Sequence, residues 1–186
     1  MRVILNFPLV DEILEEYRDV IKRDFDGYRN HITRMLNFCH FLLPEISEED
    51  SKKIQIAAVF HDIALWTHNR VDYLVPSYQD CNHWLEEQGL DAWQKEIQII
   101  IDMHHLISKY NGPYAELAEA FRKADLTDFS LGFVKNGVSR TFIKEVKKAI
   151  PNAGFHRALM RFTFIQLGRN PLNPLPMMRV KNIYKN

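Results

Sequence analysis

The sequence predicts an all-α fold, a single-domain bundle of about seven to eight helices, on three observations. Apolar residues recur at three- and four-residue steps along almost the whole chain, which is the period of a helix with one buried face. No segment shows a convincing alternation of apolar and polar residues, the pattern of a half-buried strand. A length of 186 residues with 46% hydrophobic side chains suits one domain with one core.

Breakers and caps divide the chain into these helices. Pro44 ends one periodic stretch, and Ser47 with Asp50 three residues later predicts an N-terminal cap for the next helix. Asp91 begins a second predicted cap. The stretch 64–76 is irregular and rich in aromatic residues, so we expect a loop there. The predicted helices cover 9–24, 25–43, 48–61, 77–88, 92–107, 114–130, 140–149 and 153–168.

We expect the whole chain, 1–186, to form one domain. Its motif-bearing core covers about 25–130 and is followed by C-terminal helices and a basic, proline-containing tail over 139–186. From Pro151 to the last residue there is no acidic side chain, and the basic ones are Arg157, Arg161, Arg169, Arg179, Lys181 and Lys185. A solvated basic surface is the commoner meaning of such a bias, and a site beside a phosphate-bearing ligand or an acidic partner is the alternative.

The overall charge excludes some partners. Lys plus Arg number 24 and Asp plus Glu also number 24, so no net field favours nucleic acid or an anionic membrane. Cys39 and Cys81 are far apart beside apolar or aromatic residues, which suits reduced, packed thiols. The chain shows neither a signal peptide nor a membrane helix. We therefore expect a cytoplasmic protein, and a homo-oligomer stays open.

Four of the predicted helices carry ionisable residues on or near their apolar faces. These are His31, then His61 and Asp62, then His104 and His105, then Asp125 and Asp128. Burying so many ionisable groups is costly unless something neutralises them, and a divalent cation bound by imidazole and carboxylate does so directly. The set predicts a metal site in the core.

Two phrases carry a family resemblance. Residues 57–63 read AAVFHDI and residues 123–128 read KADLTD, and together with the order of the histidines they resemble the HD superfamily of metal-dependent phosphohydrolases. The resemblance implies an HD-type helical bundle. It also implies that the metal is bound by His31, His61, Asp62 and Asp125. Asp128 would lie behind these ligands. The candidate catalytic residues are Asp62, His104 and His105. Asp62 or Asp125 could accept the proton of a metal-bound water, and the resemblance implies that His104 and His105 are phosphate contacts or proton donors.

The number of metal ions is a separate question. Family members with two metals use an additional histidine, and His83 and His104 are the candidate second-metal ligands here. In those members the additional histidine begins a helix, at a place that corresponds to Ser77. His83 lies about 240° further round a helix than that place, so one ion is favoured over two. Leu65 stands where the oxygenases and several other members carry a charged residue, which disfavours the oxygenase reaction.

The resemblance implies hydrolysis of a nucleotide or another small phosphate ester by a metal-activated water. The alternatives are a hydratase or di-iron oxygenase, or a non-catalytic module that binds a metal or ligand. Imidazole and carboxylate ligands suit Mn, Fe, Co, Ni and Zn, and Mg less well.

Candidate substrate-binding residues lie near the predicted ligands. The loop after Asp62 should overhang the site, and Arg34 lies one turn from His31, where it would contact phosphate or form a surface salt bridge. The candidates are Arg34, Trp66, His68, Asp72, Tyr73, Lys123 and Asp128.

Overall fold

The chain folds into helices in a computed structural model that describes residues 1–173 and 176–178. Within these residues there are eight helices of nine residues or more, and no strand. They are α1 (Pro8–Glu16), α2 (Phe25–Leu42), α3 (Glu48–Phe60), α4 (Leu74–Glu87), α5 (Gln94–Met103), α6 (Ala115–Phe129), α7 (Arg140–Ala149) and α8 (Phe155–Arg169). The predicted all-α, single-domain bundle of about seven to eight helices is confirmed.

The first predicted helix, 9–24, is broken into shorter pieces. α1 ends at Glu16, a four-residue helix covers Arg18–Ile21, and a 3-10 turn leads into α2. Lys22 has a φ of 55°, a left-handed conformation that ends the helical path and redirects the chain. Apolar spacing does not reveal such a break, because both pieces bury the same face.

The caps and the loop differ in part from the prediction. Ser47 caps α3 as predicted, since its hydroxyl accepts a hydrogen bond from the Asp50 backbone N–H at 3.0 Å. Asp91 makes no side-chain cap and instead begins a 3-10 turn before α5. The expected loop contains a helical turn, Ala64–Thr67, and α4 begins at Leu74. Pro76 is tolerated there because the first turn of a helix has no acceptor for its backbone N–H groups.

The core forms around α2, which packs most extensively against α6, while α5 packs against α3, α4 and α6. Gly27 of α2 faces the start of α8. A Cβ atom at this position would lie 2.9 Å from both Ala153 O and Phe155 N, so only glycine permits this close approach. The approach places Phe155 against His31, with ring centroids 4.0 Å apart.

Two basic residues of the C-terminal region bind α8 to the rest of the bundle. Arg161 pairs with Asp24 at 2.5 Å, and Arg169 donates to Asn69 O at 3.3 Å. The basic residues Arg179, Lys181 and Lys185 lie outside the described residues.

Two further expectations concern the thiols and the membrane. Cys39 and Cys81 are both free and buried, as expected for packed thiols. Among the described helices none combines the length and the apolar character that crossing a bilayer requires.

Candidate metal centre

The candidate metal centre lies where α2, α6 and the C-terminal end of α3 meet. α2 contributes His31 and α6 contributes Asp125, while His61 and Asp62 directly follow the last residue of α3. All four residues are buried. The structure therefore brings together the four ligands that the sequence resemblance implies.

Four distances between the ligand atoms of these side chains are short enough for the two atoms of each pair to share one ion. His31 Nε2 is 3.2 Å from His61 Nε2 and 3.5 Å from Asp125 Oδ1. His61 Nε2 is 3.4 Å from Asp62 Oδ2 and 3.9 Å from Asp125 Oδ1. Two atoms that each bind one ion at about 2.1 Å lie about 3.0–4.2 Å apart, depending on the angle between the bonds. All four distances fall in that range.

Hydrogen bonds fix the tautomers of the three central histidines. His31 Nδ1 donates to the Asp128 carboxylate at 2.8 Å, His61 Nδ1 donates to Ala58 O at 2.8 Å, and His104 Nδ1 donates to Ile101 O at 2.6 Å. Each acceptor is an oxygen without a hydrogen, so each Nδ1 carries a proton, and in the neutral form of each ring the lone pair is on Nε2. The Nε2 atoms of all three rings face the centre.

The short distance between the Nε2 atoms of His31 and His61 indicates that a cation fits between the two rings. Two lone-pair nitrogens at 3.2 Å repel each other unless a positive charge lies close to both. Metal-binding histidines usually donate their other ring N–H to a carboxylate or a backbone carbonyl, which is the arrangement of both rings here. The buried group of His31, His61 and Asp62 can therefore hold a metal ion.

The pKa shifts of His61 and Asp125 also favour a bound cation. Burial lowers the pKa of His61 to about 3 and raises the pKa of Asp125 to about 6, because burial disfavours the charged form of each side chain. His61 thus supplies no positive charge at neutral pH to balance the neighbouring carboxylates. A divalent cation would balance them directly.

Arg34 and Asp128 form a buried pair behind His31. Arg34 Nε lies 2.6 Å from Asp128 Oδ1, and Arg34 Nη1 donates to Pro151 O at 2.9 Å. Burial raises the pKa of Asp128, but its bonds with His31 and Arg34 outweigh burial and hold the pKa at about 2. The expectation that Arg34 contacts phosphate or lies in a surface salt bridge is therefore wrong, because its guanidinium is buried and occupied by Asp128.

His104 and His105 lie next to the ligand cluster, directly after α5. His104 Nε2 is 3.7 Å from Asp62 Oδ1, and neither atom has a hydrogen-bond partner among the described residues. His105 Nε2 lies 2.5 Å from the hydroxyl of Tyr73. Asp62, His104 and His105 form a second group whose ligand atoms lie within 4.8 Å of one another. This group can hold an ion or bind a polar part of a substrate.

A pocket of about 260 Å³ opens beside these residues. Asp62, Asp125, His104, His105 and Tyr73 line it, and most of its remaining lining residues are apolar. The apolar lining includes Leu65, Val71, Leu126, Phe155, Leu159 and Phe162. The polar groups of the pocket therefore include the candidate ligands Asp62, Asp125 and His104, whereas His31, His61 and His83 do not line it.

His83 does not belong to the site. Its side chain is 74% exposed on α4, where it lies 3.4 Å from Glu87 one helical turn away. The candidate role of His83 as a second-metal ligand is wrong, because the helix turns it toward solvent, as the angular offset from Ser77 predicts.

Four candidate substrate contacts also lie elsewhere. Trp66 donates its indole N–H to Asp24 and packs against Tyr28. His68 is 3.1 Å from Asp80 Oδ1, and Asp72 is 3.1 Å from Arg70 Nη2 at the surface. Lys123 extends along α6 to within 3.9 Å of Glu119. None of the four lines the pocket, because each is turned toward a partner outside it.

Residues of α8 are among the parts of the site that sequence patterns did not reveal. Phe155, Leu159 and Phe162 line the pocket, and their three- and four-residue spacing is that of any buried helix face. Such spacing shows which side chains turn inward but not whether they meet the core or a cavity. The absence of acidic residues in this segment did not identify the site, because it is equally consistent with a basic surface exposed to solvent.

Similarity to known proteins adds nothing to these observations, since comparisons of the chain with family models, with curated proteins and with solved structures found no match.

Proposed function

We propose that this protein is a metal-dependent hydrolase. The observation that carries the proposal is the convergence of imidazole Nε2 lone pairs and two carboxylates at a mainly apolar pocket. The resemblance of residues 57–63 and 123–128 to the HD superfamily favours the same function.

His31, His61, Asp62 and Asp125 would hold the ion. Their nitrogen and oxygen atoms suit Mn, Fe, Co, Ni or Zn, and Mg less well. One ion is favoured over two, since His83 lies outside the site. A divalent ion so bound lowers the pKa of water and stabilises charge that develops on the attacked group.

Asp62 and His104 would act on the reacting atoms. Asp62 Oδ2 faces His61, whereas Oδ1 has no hydrogen-bond partner in the described part of the chain and is placed to accept the proton of an attacking water. His104 Nε2 lies 3.7 Å from that oxygen and is placed to hydrogen-bond an oxygen of the substrate. The contact between His105 and Tyr73 holds the neighbouring ring in place beside His104.

A phosphate ester is the first candidate substrate, on the strength of the family resemblance. Hydration of a small uncharged molecule is the second, and the lining of the pocket favours it. No Lys or Arg among the described residues lines the pocket. The two buried arginines nearby are occupied, since Arg34 pairs with Asp128 and Arg122 pairs with Glu119 at 2.7 Å.

The test combines metal analysis with activity. Purified protein is assayed for bound metal by elemental analysis and for turnover on a panel of phosphomonoesters and of neutral nitriles and esters. We expect one tightly bound ion and turnover in the wild type, and in Asp62→Ala a loss of the ion together with a loss of kcat/KM of at least about 100-fold.

Asp72→Ala is the matched control, because Asp72 is an exposed aspartate near the site that does not line the pocket. It should keep both metal and turnover. Equal metal content and activity in wild type and Asp62→Ala would contradict the proposal, and bound metal without turnover on either panel would identify a non-catalytic binding module.

A further inference from the structure

The pocket separates its polar groups from its apolar ones. The carboxylates of Asp62 and Asp125, the two imidazoles of His104 and His105 and the hydroxyl of Tyr73 belong to the metal end. Away from that end the side chains are apolar apart from Thr163, whose hydroxyl already donates to a backbone carbonyl within α8 at 3.0 Å. The body of the pocket thus offers few partners for a sugar or a base.

Leu65 contributes to this apolar lining from a position three residues after Asp62. It is only 2% exposed and belongs to a small apolar cluster with Val71 and Phe162. A polar or charged part of a substrate that entered this region would lose its water without gaining hydrogen bonds, which is unfavourable. An apolar part would gain from the same loss of water.

The mouth of the pocket is apolar as well. Ile107 is 86% exposed and Phe129 is 55% exposed, and both line the pocket. Large apolar side chains that are exposed beside a cavity commonly mark a ligand-binding groove. An apolar molecule would therefore find matching surface from the mouth of the pocket inward.

The volume limits the size of the molecule. An apolar cavity of about 150 Å³ holds benzene. A pocket of about 260 Å³ has room for a larger body, comparable to two fused aromatic rings or an aliphatic chain of about eight carbons.

From these observations we propose that the substrate has an uncharged, apolar body of this size, which fills the pocket and presents its reactive bond to Asp62 and His104. This inference rests on the proposed hydrolase function, and it names the class of substrate. A nucleotide, with its polar sugar and base, does not match this lining.

The first experiment compares esters with similar leaving groups. n-Octyl phosphate, adenosine 5′-monophosphate and glycerol 3-phosphate all release a primary alcohol, so differences in kcat/KM report on the body of the substrate. With metal-loaded protein we expect kcat/KM for n-octyl phosphate, below its micellar concentration, to exceed both others by at least about tenfold. Equal or higher values for adenosine 5′-monophosphate would overturn the inference and leave the hydrolase proposal intact.

The second experiment measures binding without reaction. Calorimetric titration should show that 1-naphthol binds and that adenosine binds at least about tenfold more weakly. Leu159→Trp, which fills the pocket, should weaken 1-naphthol binding by at least about tenfold, while Met160→Trp, at the adjacent exposed position, should not. Circular dichroism and metal content verify that both variants fold.

Thr163→Val provides a second variant that keeps the size of the side chain. It removes the one hydroxyl of the apolar region, so we expect 1-naphthol to bind as tightly or more tightly. Failure of the wild type to bind 1-naphthol, or unchanged binding in Leu159→Trp, would overturn the inference. Binding of 1-naphthol without hydrolysis of any ester would support the inference and contradict the hydrolase proposal alone.

Discussion

The Nε2 atoms of His31 and His61 lie 3.2 Å apart, and each ring donates its Nδ1 hydrogen to an oxygen on its other side. Asp128 fixes the first ring and the carbonyl of Ala58 fixes the second. These hydrogen bonds hold the Nε2 atoms of the two rings close together. The relationship makes the metal content of histidine variants a direct test of the centre.

His31→Ala should reduce metal affinity by at least about 100-fold, since it removes a ligand rather than one of its supports, whose loss alone costs about 10- to 100-fold. Elemental analysis after dialysis against a weak chelator measures the effect. His83→Ala is the matched control, because His83 is an exposed histidine outside the site, and it should retain the ion. Equal retention of metal by the two variants would refute the ligand assignment.

Asp128→Asn should weaken both the fold and the site. It leaves the buried guanidinium of Arg34 without a charged partner, which should lower the free energy of unfolding by about 3 kcal/mol. Metal affinity should also fall about 10- to 100-fold, because the carboxylate that orients His31 is lost. Denaturant unfolding and metal titration measure the two effects.

The control for that variant is Asp72→Asn at the exposed pair with Arg70, which should cost less than about 1 kcal/mol. A cost for Asp128→Asn no greater than for Asp72→Asn would argue against a structural role of the buried pair.

Gly27→Ala should destabilise the contact between α2 and α8. The added methyl group would lie 2.9 Å from backbone atoms of Ala153 and Phe155, and such overpacking costs about 1–3 kcal/mol. Thermal and denaturant unfolding measure the loss. At Gly168 in α8 no atom of the other described residues, apart from the helix's own backbone and the chain neighbours, lies within 4 Å of the new methyl group, so Gly168→Ala should leave stability unchanged or raise it by up to about 1 kcal/mol. The prediction fails if both variants behave alike.

Glu119 should make stability depend on pH. Burial raises the pKa of Glu119, but hydrogen bonds from Arg122 and from the Tyr110 backbone N–H outweigh burial, and the pKa lies below its ordinary value. A carboxyl with a lowered folded-state pKa contributes stability that is full above its unfolded pKa of about 4.3 and is lost as pH falls through the folded pKa.

The corresponding measurement compares the free energy of unfolding of wild type and Glu119→Gln. The difference should be constant from about pH 7 to 5 and should shrink below about pH 4. Glu116→Gln, at an exposed position on the same helix, should show no comparable difference at any pH. A wild-type advantage over Glu119→Gln that persists unchanged into acid would contradict the assignment.

Helical periodicity predicted much of the architecture from particular residues. His31 lies three residues after Tyr28 and four before Met35, and all three are buried as that spacing requires. The same rule placed His61, His104 and Asp125 on inward faces, where the structure has them. Periodicity works here because the position of a residue on its own helix face depends only on the chain near it.

Contacts between distant helices could not be read in the same way. The sequence gives no reason why Arg34 should pair with Asp128 rather than with another acid, since the choice depends on how α2 and α6 are aligned. Trp66 donates to Asp24, which follows the left-handed residue Lys22, and apolar spacing does not reveal this change in the path of the chain. The pocket likewise depends on where α8 crosses Gly27.

His61 and His104 each stand at the residue where a helix stops, and each ring closes the last turn by donating to a carbonyl three residues earlier. Those carbonyls would otherwise be buried without a donor. A homologous protein without the metal would still need a ring N–H, or an equivalent donor, for the last free carbonyl of each of these two helices. Both histidines can therefore be retained in a homologue that binds no metal. Measuring the bound metal of such a homologue is more informative than finding the two histidines in its sequence.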